Sequence, residues 1–327
     1  MDQEQEEIKQ GQALDEHLEL EPQAAQPEKP AGRAGFVSVV GKPNVGKSTL
    51  INLYVGHKIA ITSEKPQTTR RALRGILTRP DAQVVFVDTP GIHRPLHALG
   101  KFMVRSAIET VDQVDVIVFV VDGSRMPSSE DEEIAEILRE RTQAPILLAM
   151  NKMDLLKREN VKEVTEAYWS LVDYTDWMRI SATHAENTDK LLDMIVERLP
   201  PGPPLFPEDE ITDQPMQALA AELIREQILL NTRQEIPHAA AVSIDEWQDR
   251  SEKLTYIAAS VWVEKESQKG IVIGERGAML KKIGQGARQQ IEEWLEHQVY
   301  LDLTVKVREK WRRDERLLEE LGYTREE

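Results

Sequence analysis

The first residues able to do chemistry are Gly41-Lys42-Pro43-Asn44-Val45-Gly46-Lys47-Ser48, with Thr49 directly behind. Gly41 and Gly46 let the backbone fold around a phosphate, whose charge faces the loop amides and the start of the next helix. Lys47 is placed to reach the β- and γ-phosphates of a nucleoside triphosphate, and the Ser48 hydroxyl to ligate Mg²⁺. The context fits this chemistry. The apolar run FVSVV (36–40) precedes the loop and a helical stretch (47–55) follows, the strand–loop–helix order the motif requires.

Four more motifs bear on the same ligand. Asp88-Thr89-Pro90-Gly91 ends an apolar run, where Asp88 can hold Mg²⁺ through water and Gly91 lets a backbone amide approach the γ-phosphate. Asn151-Lys152-Met153-Asp154 is the N-K-x-D pattern. Its Asp154 carboxylate would accept from the guanine N1 and N2 donors, which adenine lacks, and Lys152 would lie along the base. Ser181-Ala182-Thr183 would close over that base. Between the phosphate loop and Asp88 lies Gln67-Thr68-Thr69-Arg70, where a threonine must complete the Mg²⁺ shell and sense the γ-phosphate. Thr68 or Thr69 could do so; spacing does not choose. Gly91 is followed by Ile92, at the position where Ras-like GTPases carry a glutamine that orients water. Isoleucine cannot do this, so hydrolysis should need another group, a backbone-held water or a bound partner, with RNA, the ribosome or a monovalent cation as stimulant, and Asn44 is the candidate ligand for K⁺.

A second glycine loop lies far downstream. Ile271-Val272-Ile273-Gly274-Glu275-Arg276-Gly277 opens a helical stretch, the V-I-G-x-x-G signature of KH modules, whose loop clamps about four nucleotides of single-stranded RNA through the backbone. Lys269, Arg276, Lys281, Lys282 and Arg288 surround it. The stretch 306–313 (KVREKWRR) is basic as well, and Trp311 within it is expected to pack rather than to stack on a base.

The elements that must hold these motifs are legible. Apolar runs at 36–40, 84–88, 116–122 and 145–151 alternate with amphipathic stretches, which predicts a doubly wound, mostly parallel α/β sheet over 35–199 with its motifs at the strand ends. Residues 200–214 are proline-rich and predict a semi-rigid linker. From 215 to 323 the order is α-β-β-α-α-β, an α+β module, with strands near 239–247, 254–264 and 299–307 and a glycine-rich segment at 270–277. Residues 1–34 have few large apolar residues and predict a disordered acidic tail.

Charge is segregated along the 327 residues. The net charge is −16, yet residues 268–290 hold five basic residues and one acid, as do 306–313. An acidic protein with such basic islands can still hold a polyanion. The chain has no cysteine, which excludes disulfides, thiolate catalysis and cysteine-ligated zinc. No apolar run approaches the ~18–20 residues needed to span a bilayer, and the start lacks a secretory signal, so a cytoplasmic protein is expected.

Taken in order, GKPNVGKST (41–49), QTTR (67–70), DTPGIHRP (88–95), NKMD (151–154), SAT (181–183), FPEDEITDQP (206–215), AELIREQILL (221–230), QKGIVIGERG (268–277) and WRRDERLLEELGY (311–323) resemble the bacterial Era-type GTPases, over about residues 34–323. The resemblance implies a P-loop GTPase domain followed by a type II KH domain. It implies GTP or GDP with Mg²⁺ as ligands and hydrolysis of GTP to GDP and phosphate. It implies binding to the 3′ end of small-subunit ribosomal RNA, with Gly274, Glu275, Arg276 and Gly277 as the RNA loop. It further implies a role in assembling the small ribosomal subunit and peripheral association with the inner membrane; a monomer is expected. The acidic tail departs from the family's short start. The competing reading is an RNA-binding module whose guanine-nucleotide site is structural and idle, which Ile92 favours. A tRNA-modifying enzyme is disfavoured by the lack of any methyl-donor, flavin or cysteine signature, and an ATPase by Asp154.

Overall fold

The structure is a computed structural model that describes residues 32–63, 65, 68–92, 97–321 and 323. The tail expected over 1–34 lies outside the described residues as far as 31, and its last residues, Arg33 and Ala34, open the first strand.

Among the described residues, six strands form one sheet. They are β1 (Arg33–Val40), β2 (Leu73–Thr78), β3 (Ala82–Asp88), β4 (Val116–Asp122), β5 (Ile146–Asn151) and β6 (Asp176–Arg179), in the order β2-β3-β1-β4-β5-β6. All pairings are parallel except β2 with β3. Helices α1 (Lys47–Val55), α2 (Ala98–Glu109), α3 (Ser129–Arg141), α4 (Val161–Trp169) and α5 (Thr188–Val196) connect them. Every residue of β3, β4 and β5 is buried. That is why these strands read as unbroken apolar runs: a parallel sheet is covered on both faces and cannot alternate. One face packs Val37, Val39, Val118 and Leu147 against α1 and α5; the other packs Ile117, Phe119 and Leu148 against α3 and α4. Strand order reverses at β1, so its carboxyl end opens a crevice, and the 41–48 loop begins there. Strand β2, missed by the apolar runs, is an antiparallel edge strand in which only Gly75 and Ile76 are buried.

The remaining chain folds as α6 (Met216–Asn231), α7 (Ile236–Ala239), β7 (Ala241–Ser251), β8 (Leu254–Val263), α8 (Glu266–Ile273), α9 (Ala278–Leu295), β9 (Gln298–Val307) and α10 (Glu315–Glu320). The sheet order is β7-β8-β9, with β7 antiparallel and β9 parallel to β8. Inward residues Ile257, Ala259, Val261 and Val305 meet Leu223, Ile228, Ile283 and Ile291 of α6 and α9 in one core. The glycine-rich segment is more helical than its composition suggests. Helix α8 runs to Ile273 because the Gln268 side chain returns to accept from the Glu264 and Lys265 amides and caps its start.

The two parts are bound together. Leu99 and Met103 of α2 pack on Trp311, Leu318, Leu321 and Tyr323. The proline-rich segment also does more than space the parts: it runs along edge strand β2. The Ile76 amide donates to Ile211 O (2.9 Å), Thr212 Oγ1 donates to Arg74 O (2.7 Å), and Arg74 pairs with Asp213 (2.8 Å). Gln83 Oε1 accepts from the Leu205 and Phe206 amides.

Candidate functional site

The phosphate loop closes on itself around Lys47. Its ammonium is buried, 6% exposed, and donates to Gly41 O (3.0 Å) and Lys42 O (3.1 Å). Burial lowers its pKa from 10.5 to about 8, against the opposing charge of Asp88. Ser48 Oγ donates to Asp88 Oδ2 (2.7 Å), Thr69 Oγ1 donates to the same oxygen (3.0 Å), and the two hydroxyls lie 3.1 Å apart. Burial pushes the Asp88 carboxyl above its usual range, against the pull of Lys47 and both hydroxyls. Thr68, the other candidate, instead turns its hydroxyl to Lys65 O (2.7 Å). Gln67 lies outside the described residues, as do His93, Arg94 and Pro95 of the 88–95 motif. Thr89 Oγ1 donates to Val39 O (2.8 Å), tying the segment Asp88-Thr89-Pro90-Gly91 to β1. A cleft is lined by Pro43, Asn44, Lys47, Ser48, Thr69 and Gly91. Gly46 must be glycine twice over: its φ is +105°, and a Cβ there would sit 2.2 Å from Asn151 Nδ2.

That close approach joins the 41–48 loop to the 151–154 motif. Asn151 Nδ2 donates to Val45 O (2.7 Å), and its Oδ1 accepts from the Ala182 amide (2.9 Å), so one side chain ties the 41–48 loop to the 151–154 and 181–183 segments. The Met153 amide donates to Ile180 O (3.1 Å). Ser181 Oγ donates to Asp154 Oδ1 (2.7 Å) and orients that carboxylate. Spacing placed these motifs at the ends of β1, β3 and β5 and after β6, and the sheet brings them to one edge.

Several neighbours escaped sequence reasoning. Asp122, at the end of β4, holds Lys152 Nζ (3.1 Å), and its other oxygen accepts from Ser124 Oγ (2.6 Å). Burial alone would raise its pKa, but these hydrogen bonds hold it below the usual carboxylate range. Lys42 reaches across to buried Asp131 (2.6 Å) and Ser128 (3.0 Å) at the start of α3. The only sequence signal for the first pair was an acid at a strand end; the partners of both lie at least 30 residues apart and are joined by the sheet.

The second glycine loop sits between α8 and α9. Gly274 (φ +73°) ends α8, Arg276 is left-handed (φ +50°), and Gly277 (φ +80°) precedes α9. A Cβ on Gly274 would meet Met279 N at 2.9 Å, whereas nothing lies within 4 Å of a Cβ on Gly277, so space is open above the loop. Glu275, Arg276, Lys281, Lys282 and Arg288 are exposed and Lys269 is half-buried around it; Arg288 pairs with Glu292 (3.9 Å). The second basic stretch is different. Lys306 pairs with Asp245 (3.2 Å), Arg308 with Glu320 and Arg312 with Glu264. Trp311 is fully buried and donates Nε1 to Ala239 O (2.9 Å), so it packs and presents no face to a base.

Fold and site together define the class: a P-loop GTPase joined to a KH domain. Residues 36–152 match the family described as 50S ribosome-binding GTPase, and residues 235–312 match the KH domain family. The GTPase Era of Geobacter metallireducens is 47% identical over 89% of this chain and 98% of its own length. That of Ruminiclostridium cellulolyticum is 43% identical over 89% of this chain and 97% of its own. Among solved structures, Era in complex with MgGDPNP and nucleotides 1506–1542 of 16S ribosomal RNA superposes with a TM-score of 0.86, at 39% identity over 89% of this chain and 99% of that one. A point variant of Aquifex aeolicus Era bound to GDP·AlF4⁻ gives 0.85, with the same identity and coverage. The chain belongs to the family of Era GTPases, and it hydrolyses GTP. The idle-site reading therefore falls.

Proposed function

We propose that this GTPase binds GTP and GDP with Mg²⁺, holds the 3′ end region of small-subunit ribosomal RNA on its Gly274–Gly277 loop, and assists assembly of the small ribosomal subunit. The observation that carries this reading is the meeting of Ser48, Thr69 and Asp88 one residue away from Arg70, which is anchored in the KH part. Two Era structures, one with MgGDPNP and 16S RNA and one with GDP·AlF4⁻, support the choice of ligands. The cytoplasm as the place of action and a monomeric state, both expected from the sequence, and peripheral contact with the inner membrane, implied by the family resemblance, complete the reading.

The residues suit Mg²⁺. Asp88 Oδ1 is buried with no hydrogen-bond partner among the described residues, and two hydroxyls share its other oxygen. Such hard oxygen donors match that ion. Ser48, Thr69 and, through water, Asp88 would hold it, and it would supply charge neutralisation between the β- and γ-phosphates. The Lys47 ammonium would exchange its two loop carbonyls for phosphate oxygens. Asp154, held by Ser181, would read the guanine edge, and Lys152, held by Asp122, would lie along the base. Ile92 is buried in the sheet core and orients no water. We assign Asn44, in the left-handed region at φ +64°, as a ligand for a K⁺ ion that would assist instead. Hydrolysis measured against Mg²⁺, in K⁺ and in Na⁺, tests both assignments. Thr69→Ala should lose about tenfold or more while Thr68→Ala stays within about threefold, and Asn44→Ala should lose the preference for K⁺. Equal losses for both threonines, or an unchanged cation response, would overturn the respective assignment.

Arg70 links the site to RNA. Its guanidinium donates to Ala240 O (2.7 Å), Pro237 O (3.1 Å) and His238 O (3.2 Å), the carbonyls at the end of α7. A nucleotide that pulls Thr69 moves Arg70 with it, because the two are consecutive. RNA crosslinking with GTP-loaded and GDP-loaded protein tests the reading. The two yields should differ, the crosslinked RNA should be the 3′ end of the small-subunit RNA, and Gly274→Asp should remove it. Equal yields, or another RNA, would refute it.

A further inference from the structure

The base-reading carboxylate is the end of a hydrogen-bond chain that nothing in the motif requires. Ser181 Oγ donates to Asp154 Oδ1 at 2.7 Å and lies 3.0 Å from His184 Nδ1; the same ring nitrogen is 3.9 Å from Asp154 Oδ2. Ser181 has one hydroxyl proton, and the carboxylate takes it. Its oxygen must therefore accept from the histidine, which places a proton on Nδ1. His184 is then the Nδ1–H tautomer when neutral, and its side chain is 65% exposed, so a second proton enters at Nε2 without breaking the chain. Charging the ring puts a cation beside the group that must accept from guanine N1 and N2. A cation there competes with those donors, because it draws the same carboxylate charge.

Lys152 is held by Asp122 at 3.1 Å. Glu186 lies on the histidine's own loop, where its backbone pairs with Ser181, and Asp189 and Lys190 lie in the first turn of α5. Within 4 Å the only carboxylate paired with the ring among the described residues is Asp154.

We propose that His184 is a positioning residue for guanine recognition. Neutral, it orients Asp154 through Ser181; charged, it weakens the carboxylate's hold on the base, so that discrimination among nucleobases falls as the solution turns acidic. This rests on the reading of Asp154 as the guanine acceptor.

The test compares two ligands so that phosphate titration and Lys47 cancel. IDP keeps the N1 donor of GDP but lacks the 2-amino group, so the ratio of their dissociation constants reports on the Asp154 edge alone. In the native protein this ratio should fall about fivefold between about pH 7.5 and pH 5.5, the size expected for a unit charge near 4 Å in water. In His184→Asn, which keeps a neutral donor toward Ser181, the ratio should stay at its starting value throughout. In His184→Ala it should be reduced at every pH. By linkage, GDP must also move the NMR titration midpoint of His184 to lower pH. A ratio that falls equally in the native and Asn proteins overturns the proposal, as does a midpoint that GDP leaves in place. Asp154→Asn is the control for the underlying reading. Its amide donors should favour XDP, which carries an oxygen where GDP carries the amino group. If XDP gains nothing, the assignment of Asp154 itself fails; if XDP gains while the native ratio stays flat, only the role of His184 fails.

Discussion

Lys47→Met is expected to weaken nucleotide binding severely and, in the same protein, to raise the melting temperature of the nucleotide-free form. The two effects come from one cause. The ammonium is buried among loop carbonyls, and burial brings its pKa from 10.5 down to about 8. Between those two pH values the unfolded chain holds a proton that the folded chain does not, so stability rises with pH there. Below about pH 8 both forms are charged and the full cost applies, about 3 kcal/mol for a displacement of this size. Methionine fills a similar volume without charge. Part of the gain is lost, because Gly41 O and Lys42 O give up a donor and Asp88 gives up its opposing charge. A net gain of about 1 kcal/mol remains, or roughly 2–4 °C. Phosphates, by contrast, would need that cation, and its loss should weaken GDP by about 10²–10³-fold. Calorimetry at about pH 7 and titration with a fluorescent GDP check both halves. A Met variant that melts below the native protein would show that the lysine charge supports the empty fold, contrary to this account.

Arg70→Ala should be the most damaging change at the junction of the two parts. The guanidinium is 1% exposed, caps three carbonyls at the end of α7 and lies over the Trp311 ring at 5.8 Å. Carbonyls at a helix end have no partner within the helix and must find one elsewhere. Alanine leaves them facing a dry gap, at a cost of about 3–5 kcal/mol. Lysine should not rescue the loss, since a single ammonium cannot reproduce the planar fork. Arg71 has fewer ties: it reaches Leu321 O and lies over the Tyr323 ring at 4.7 Å, so Arg71→Ala should cost about 1 kcal/mol. The functional consequence separates this clamp from mere packing. Arg70→Ala should retain GTP within a few-fold but bind RNA equally in the GTP and GDP forms. If RNA affinity still follows the nucleotide in that variant, the path from Thr69 to α7 is not the one in use.

How much of this was legible in the sequence depended on whether the signal was local. The motifs at 41–48, 88–91 and 151–154 announced themselves because each needs particular residues at fixed spacing on consecutive backbone. Strands β4 and β5 were equally plain, since burial on both faces leaves no polar position to interrupt them. Strand β2 was not, because an edge strand with two buried residues resembles an ordinary loop. The choice between Thr68 and Thr69 could not be made from spacing; it depends on which hydroxyl turns to Asp88, a residue on another strand. The basic stretch after β9 looked like a second polyanion surface, yet three of its five cations, Lys306, Arg308 and Arg312, are paired with Asp245, Glu320 and Glu264. Arg70 stood inside a motif but without a role, because its carbonyl partners lie 167 to 170 residues downstream.

The strap formed by residues 200–214 has a practical consequence. A naked outer strand is an invitation for another chain to pair with it. Here Ile211 and Thr212 occupy the outward bonding groups of Ile76 and Arg74. Cutting the gene where the prolines begin would therefore strip a protective hem from the GTPase half and leave it prone to self-association, whereas a cut just before Met216 would keep that hem sewn on.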